Sequence, residues 1–202
     1  MTGILLVNSH FKNLYQRKKI NYILVEFNFI ASLTAIHLSR LAEDLILFGS
    51  KEFGFIHLSD GYSTGSSLMP QKRNPDSLEL IRGTSGQIFG ELTGFMMTLK
   101  GLPMTYNKDL QNDKAAMFST FDQMKKAIGV TTGVIQTITV DADKCHAALS
   151  YDMLATDLAY YLVRKGVPFR TAHHLSGEVV SLSEKLKKQI NEIPIDEMIK
   201  IR

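Results

Sequence analysis

The sequence has a single cysteine, no tryptophan and little excess charge of either sign. Because Cys145 has no second cysteine to pair with, no internal disulfide can form, and nothing indicates a zinc or redox motif built from paired cysteines. The 23 basic residues barely outnumber the 20 acidic ones, and the excess lies near residues 17–19 and 185–188. That charge is too weak and too scattered to indicate nucleic-acid binding.

Long uninterrupted apolar runs are also missing from the sequence. The apolar run at residues 4–7 is shorter than the ~7–15 residues that a signal-peptide core needs. The most apolar stretch, residues 23–48, contains two glutamates, an aspartate and an arginine, so we expect no membrane span. Together with the lone cysteine, this composition predicts a cytoplasmic protein.

Apolar residues at helical spacing predict an all-α fold. Over residues 25–48 they recur every three or four positions, and Gly49 stands where a helix would end. The apolar face is wide, which is typical of a central bundle helix that contacts neighbours on more than one side. No convincing alternating strand pattern interrupts the sequence. Further helices are expected near residues 78–99, 110–140, 142–149, 153–165 and 169–190.

A glycine- and serine-rich segment separates the first two long helices. Residues 51–73 contain three glycines and Pro70, which together favour a loop. Asn74, Pro75 and Asp76 then resemble a helix start, with a capping residue, a proline at the first helical position and an acid in the first turn. Taken alone, such a segment is most often a solvated surface loop capped onto a helix.

The order of residues within this loop indicates a family. Residues 65–75 read Gly-Ser-Ser-Leu-Met-Pro-Gln-Lys-Arg-Asn-Pro, which resembles the shared loop motif of the fumarase, aspartase and argininosuccinate lyase superfamily. These enzymes break a C–N or C–O bond by β-elimination and release fumarate. Residues 76–82, 99–114 and 151–166 are similar to argininosuccinate lyases in particular, whereas adenylosuccinate lyases and fumarases fit the second stretch poorly. The resemblance covers about residues 25–185 and implies the long-helix bundle of the superfamily.

The resemblance also implies roles for individual residues. Ser66, the first serine of the pair, takes the role of the proton abstractor, with Lys72 as a nearby cation. Glu79 takes the role of the acid that orients and charges the catalytic histidine. No metal and no cofactor are implied. The resemblance also implies that four further residues contact the substrate: Asn74, Tyr106, Gln111 and Lys114.

The chemistry explains why these residue types belong together. Removing a proton beside a carboxylate builds up a dianionic aci-carboxylate, which requires nearby cations and hydrogen-bond donors. Lys72 supplies a cation, and the amides at the helix start near residues 74–77 supply donors and a positive dipole end. A serine is a poor base, so Ser66 acts only if the same pocket stabilises its alkoxide once the loop has closed. Gly61 and Gly65 would allow that closure.

Three of the assigned residues also have ordinary explanations. Gln111 and Lys114 lie three apart at the predicted start of a helix, so both can reach one ligand, but an exposed polar helix face has the same pattern. Glu79 lies in the first turns of a helix, where an acid is favourable for electrostatic reasons alone.

The superfamily needs a histidine as general acid or proton relay, in a segment well upstream of the loop. None of the six histidines lies in a segment of that kind, and we assign a catalytic role to none of them. His37 is expected to pack or to hydrogen-bond within the long helix, and His173 and His174 to lie on a partly exposed helix face. The upstream segment with a substrate-binding serine and arginine is missing too. The histidines are His10, His37, His57, His146, His173 and His174.

We therefore expect three segments in a bundle truncated at both ends: an unmatched N-terminal segment at residues 1–22, a central bundle at 23–150 with its catalytic loop at 61–74, and a partial C-terminal helical region at 151–202. Residues 1–22 would be a replaced N-terminus, from alternative splicing or a gene-model error.

The implied function is cleavage of argininosuccinate to L-arginine and fumarate, in arginine biosynthesis or the urea cycle. The family builds each site from three subunits of a tetramer, so a homotetramer or co-assembly with full-length subunits is expected. The alternative is a catalytically inactive truncated paralogue or a crystallin-like structural protein.

Overall fold

The computed structural model describes residues 2–103 and 106–201, and side chains from residue 21 onward. Met104 and Thr105, within the stretch similar to argininosuccinate lyases, lie outside the described residues. The chain forms two compact units, residues 1–141 and 142–202. The division into segments 1–22, 23–150 and 151–202 stays a prediction, because compactness does not distinguish family segments.

Three long helices build the first unit: α1 (Thr2–Gly49), α2 (Asp76–Leu99) and α3 (Asp113–Thr137). One buried cluster joins Ala42 and Leu45 of α1 to Leu78 and Ile81 of α2 and to Val134 of α3. A second cluster joins these helices farther along: Ala31, Ala35, Ile88 and Met124. From the second cluster to the first, residue numbers increase along α1 and α3 and decrease along α2. The helix α2 is antiparallel to the other two, and the all-α bundle prediction is confirmed.

Among the residues that the structure describes, four short strands and two 3₁₀ segments complete the first unit. The strand β1 (Ile56–His57) pairs antiparallel with β4 (Thr139–Val140), and β2 (Thr64–Gly65) pairs antiparallel with β3 (Arg73–Asn74). The sequence did not indicate these strands because two residues are too few to show an alternation. The 3₁₀ segments are Asp60–Tyr62 and Lys108–Asn112.

In the first unit, the helix bounds differ from the sequence prediction in three places. The first helix begins at Thr2, well before residue 25. The helix α2 begins at Asp76 with Pro75 as its N-cap, so the predicted cap at Asn74 is wrong; Asn74 is instead paired with Thr64 across β2 and β3. The third long helix covers residues 113–137 rather than 110–140, because the chain forms a 3₁₀ segment before it and pairs as β4 after it.

The second unit contains four helices among its described residues: α4 (Ala142–Ala147), α5 (Leu154–Arg164), α6 (Phe169–Leu186) and α7 (Ile195–Ile199). Gly166 ends the α5 region with a φ of 90°, as expected of a glycine after a helix. Lys187 ends α6 in the left-handed region, so that helix stops before the predicted residue 190. The buried core of this unit joins Val179, Ile190 and Ile193.

One segment of α1, Asn21–Gly49, is long and apolar enough to cross a membrane by length and composition, with a mean hydropathy of 1.4 in its richest window. The core helix of a bundle passes the same test. Ala31, Ala35, Ala42 and Leu45 of this segment belong to the two clusters shared with α2 and α3. The segment is therefore a packed bundle helix in this structure.

Candidate active site

The predicted catalytic loop is a β-hairpin. Thr64 pairs with Asn74 and Gly65 pairs with Arg73, so β2 and β3 form a two-rung stem. We call residues 66–72 the hairpin tip. Ser66 directly follows β2 and Lys72 directly precedes β3, so these two residues flank the hairpin tip. Two residues that the sequence separates by six positions therefore stand at the mouth of one hairpin.

The oxygen of Ser66 accepts two hydrogen bonds within the tip. The backbone N–H groups of Leu68 and Met69 each donate to Ser66 Oγ over 3.2 Å. A second turn bond, from the N–H of Lys72 to the carbonyl of Met69, spans 3.0 Å. Amides aimed at an oxygen favour its negative form over its neutral form. These bonds hold the Ser66 side chain against the backbone of the tip.

Polar bonds join the stem to the start of α2. Thr64 Oγ1 donates to the carboxylate of Asp76, and Ser77 Oγ donates to the carbonyl of Tyr62 over 2.6 Å. The guanidinium of Arg73 forms an ion pair with the carboxylate of Asp60, in the 3₁₀ segment that precedes the hairpin. Sequence reasoning missed Asp60 and Thr64, because neither belongs to the motif at residues 65–75.

The segment before the hairpin rests on the far end of α3. Tyr62 packs so closely on Gly133 that a Cβ there would lie 1.7 Å from the tyrosine oxygen. Ser59 Oγ donates to Thr137 Oγ1 over 3.0 Å, one turn farther along α3. Tyr62 also packs against the apolar cluster that contains Val134. The base of the hairpin is therefore held by tertiary contacts, while Leu68 in the tip is 85% exposed.

The remaining predicted residues near the hairpin have distinct surroundings. Lys72 and Glu79 are exposed, and Asn74 is half-buried in β3. The N–H of Glu79 donates to the carbonyl of Pro75 over 3.0 Å in the first turn of α2. One turn along, the pKa of Arg82 is raised by its hydrogen bond and ion pair with Glu43 of α1, and to a smaller extent by the charge of Glu79.

The other predicted substrate contacts lie near the start of α3. Gln111 Nε2 donates to the phenol oxygen of Tyr106 over 3.2 Å, so these two residues do come together. Lys114 Nζ is 3.0 Å from a carboxylate oxygen of Asp113, whose side chain is only 11% exposed. Gln111 and Lys114 do not begin one helix as predicted, because Gln111 lies in a 3₁₀ segment and Lys114 in α3.

The seven predicted residues fall into two groups at opposite ends of the first unit. Ser66, Lys72, Asn74 and Glu79 flank the start of α2, which we call the hairpin end. The stretch Tyr106–Lys114 follows the last turn of α2, which we call the tyrosine end. The 24 residues of α2, at about 1.5 Å each, separate the two ends by about 36 Å. The two groups cannot contact one small molecule within a single chain.

The histidines whose side chains the structure describes, from residue 21 onward, are all exposed. His37 on α1 is among them, so it does not pack in the core; that it forms a hydrogen bond stays a prediction. His57, in β1, has its Nε2 atom 3.9 Å from the carboxylate of Asp141. His173 and His174 are exposed on α6, as predicted. Within residues 21–103 and 106–201, no group of three or more histidine, cysteine, aspartate or glutamate side chains could hold a metal ion.

Two family models match the chain in the regions described above. Residues 10–90 match the lyase family model, and residues 152–202 match the model of the argininosuccinate lyase C-terminal region. Similarity therefore extends beyond residues 25–185 in both directions. Curated argininosuccinate lyases are similar as well. That of Saccharomyces paradoxus is 60% identical over 163 residues, and that of Candida albicans is 57% identical over 163 residues; each match covers 81% of this chain and 35% of the relative.

Solved structures share the fold. EDDS lyase in complex with formate superposes with a TM-score of 0.73 at 29% identity, covering 87% of this chain and 35% of that one. Class II fumarase from Schistosoma mansoni superposes with a TM-score of 0.71 at 21% identity, covering 88% of this chain and 38% of that one, and shows the fold alone.

These similarities define a helical bundle of the fumarase–aspartase superfamily. Within that superfamily, the chain belongs to the argininosuccinate lyase family. It spans about 35–38% of the length of the curated relatives that it matches.

Proposed function

We propose that this chain contributes to an argininosuccinate lyase active site, in which argininosuccinate is split into L-arginine and fumarate for arginine biosynthesis or the urea cycle. The observation that supports this most is the hairpin stem, which brings Ser66 and Lys72 to the two ends of one tip. The two amides that donate to Ser66 Oγ add to that support. The relatives named argininosuccinate lyase provide the substrate class.

In the proposed reaction, Ser66 Oγ, as an alkoxide, takes the proton from the carbon beside a substrate carboxylate. The electron pair left behind spreads into that carboxylate and forms a dianionic aci-carboxylate. Lys72 and Asn74 stabilise the dianion, together with the positive end of the α2 dipole. The C–N bond then breaks as the double bond of fumarate forms, and the departing nitrogen takes a proton from a general acid. We assign no histidine of this chain to that step.

The separation of the two ends supports an assembly in which sites are shared between subunits. A site that needs both Ser66 and Lys114 has to combine the hairpin end of one subunit with the tyrosine end of another, because about 36 Å of helix lies between them. We infer a cytoplasmic homotetramer, or co-assembly with full-length subunits. Large apolar side chains that remain exposed on the three helices favour such packing: Phe29, Ile30, Phe89, Phe118 and Phe121.

A complementation assay tests the proposed function. The 202-residue chain is mixed with a full-length argininosuccinate lyase whose loop serine is replaced by alanine, and fumarate release from argininosuccinate is followed by ultraviolet absorbance. We expect activity in the mixture and its loss with Ser66→Ala. Ser85→Ala is the matched control, since the hydroxyl of this half-buried serine of α2 donates to the carbonyl of Arg82 in the same helix. Absence of activity both alone and in the mixture would favour the inactive, crystallin-like alternative.

A further inference from the structure

Two neighbouring cations of the hairpin have different surroundings. Arg73 belongs to the stem, where it forms an ion pair with Asp60 and stands opposite Gly65. Lys72 is the first residue of the tip beyond that pair, and its side chain is exposed. Successive side chains of a strand point to opposite faces, so the two cations do not compete for one partner. The ion pair with Asp60 therefore occupies Arg73, while Lys72 remains exposed at the end of the tip.

The ion pair ties the last rung of the stem to a fixed support. Asp60 begins the 3₁₀ segment that ends at Tyr62, and Tyr62 is packed on Gly133 of α3. The opposite strand is tied to α2 by the hydrogen bond from Thr64 to Asp76. A two-rung hairpin alone is at best marginally stable in water. These two contacts act on the stem next to the tip and add to those that hold the hairpin base.

The Asp60–Arg73 tie is suited to a reversible role. The two side chains are 81% and 65% exposed, and an ion pair in water contributes only slightly to stability. It therefore shifts the balance between a positioned and a displaced hairpin without locking either one. Dissolved salt screens such an exposed pair, so this balance depends on ionic strength.

We propose that the Asp60–Arg73 ion pair is a latch that sets how often the hairpin tip, with Ser66 and Lys72 at its two ends, leaves the hydrogen-bonded arrangement seen in the structure. Asp60 and Arg73 are then positioning residues that act through Ser66 and Lys72. The catalytic consequence rests on the proposed function, whereas the latch itself does not.

Hydrogen exchange of the tip amides tests the latch without any turnover. The amides of Leu68, Met69 and Lys72 are hydrogen-bonded within the tip, and their exchange is followed by NMR or by millisecond quench on the whole 202-residue chain. We expect D60N and R73Q each to speed exchange about two- to fivefold. The double variant should be no faster than either single variant, because both break the same pair. The charge swap D60R/R73D should restore slow exchange.

Two further measurements keep the test decisive. Added salt should speed tip exchange in the unmodified chain toward the rate of the variants, which needs no mutant to fold. E43Q breaks another exposed ion pair of the first unit, with Arg82, and should leave tip exchange unchanged. Unchanged exchange in D60N and R73Q, or additive effects in the double variant, would overturn the latch.

Turnover in the complemented mixture separates the latch from the proposed function. If both hold, D60N and R73Q lower kcat about two- to fivefold with little change in KM, and D60R/R73D recovers kcat. If the tip amides respond as expected while no mixture releases fumarate, the latch stands and the proposed function fails. If fumarate is released but these substitutions change neither the amide exchange of the tip nor kcat, only the latch proposal fails.

Discussion

The hairpin end and the tyrosine end of the first unit are built in different ways. At the hairpin end, Ser66 depends on segments distant in sequence, since the hairpin base rests on Gly133 and Thr137 of α3. At the tyrosine end, the bonds join near neighbours, Tyr106 to Gln111 and Asp113 to Lys114. Because distant contacts hold it, the hairpin end responds to changes far away in the chain.

The interiors of the two ends differ as well. Next to the hairpin, the buried cluster consists of apolar side chains such as Leu78, Ile81 and Val134. Toward the tyrosine end, the interior includes the fully buried polar residues Asn28 and Thr120. The side-chain amide of Asn28 and the hydroxyl of Thr120 have no hydrogen-bond partner. A buried polar group without a partner lowers stability, so an apolar group of similar size in its place should raise it.

The largest effect we expect shows which subunit supplies each end to a shared active site. In the mixture with a full-length enzyme inactivated only at its loop serine, Ser66→Ala should lower fumarate release by about 10²-fold or more, because it removes the base. Lys114→Ala in the same chain should leave most of the activity, since the partner supplies its own lysine to the shared site. Equal loss from both substitutions would mean that both groups act from one chain.

The dependence of the hairpin end on α3 predicts the next largest effect. Gly133→Ala places a Cβ 1.7 Å from the Tyr62 oxygen, so the ring that supports the hairpin has to move. We expect a loss of about 1–3 kcal/mol in the free energy of unfolding, measured by urea denaturation. Gly129→Ala, one turn away with nothing within 4 Å, is the control and should stabilise the helix by up to about 1 kcal/mol. Equal effects at the two positions would show that the Tyr62 contact is unimportant.

The polar interior toward the tyrosine end predicts a smaller change of opposite sign. Asn28→Leu replaces a fully buried amide without partners by an apolar group of similar size. We expect the free energy of unfolding to rise by about 1 kcal/mol, again by urea denaturation. Ser32→Ala is the comparison, because that buried hydroxyl already donates to the carbonyl of Asn28 over 2.7 Å and should be close to neutral. A clear loss of stability in Asn28→Leu would mean that the amide has a partner in solution.

Sequence patterns predicted the helices well where one buried face runs through a long segment. The repeats of α1, α2 and α3 were visible because each helix buries residues at three- and four-residue steps, as Leu78, Ile81, Ile88 and Leu92 do in α2. The ends of these helices were predicted less well. Pro75 caps α2 in place of Asn74 because Asn74 pairs with Thr64, a contact that no local pattern reveals.

The site was predictable as a set of residue types but not as an arrangement. The motif at residues 65–75 named Ser66, Lys72 and Asn74, and the stretch after α2 named Tyr106, Gln111 and Lys114. Asp60 and Asp113 were missed, since an isolated acid beside a loop or at a helix start has many ordinary explanations. Only the fold brought Asp60 to Arg73.

By itself, the sequence determined the helical class, the family motif and the chemical groups that the hairpin presents, because these depend on residue type and on spacing along the chain. The tertiary structure alone decided that Ser66 and Lys72 flank one hairpin tip, that Arg73 is paired with Asp60, and that Lys114 lies about 36 Å of helix away. Those facts depend on strand register and on the antiparallel course of α2 and α3, which arise only when distant segments bury their apolar faces together.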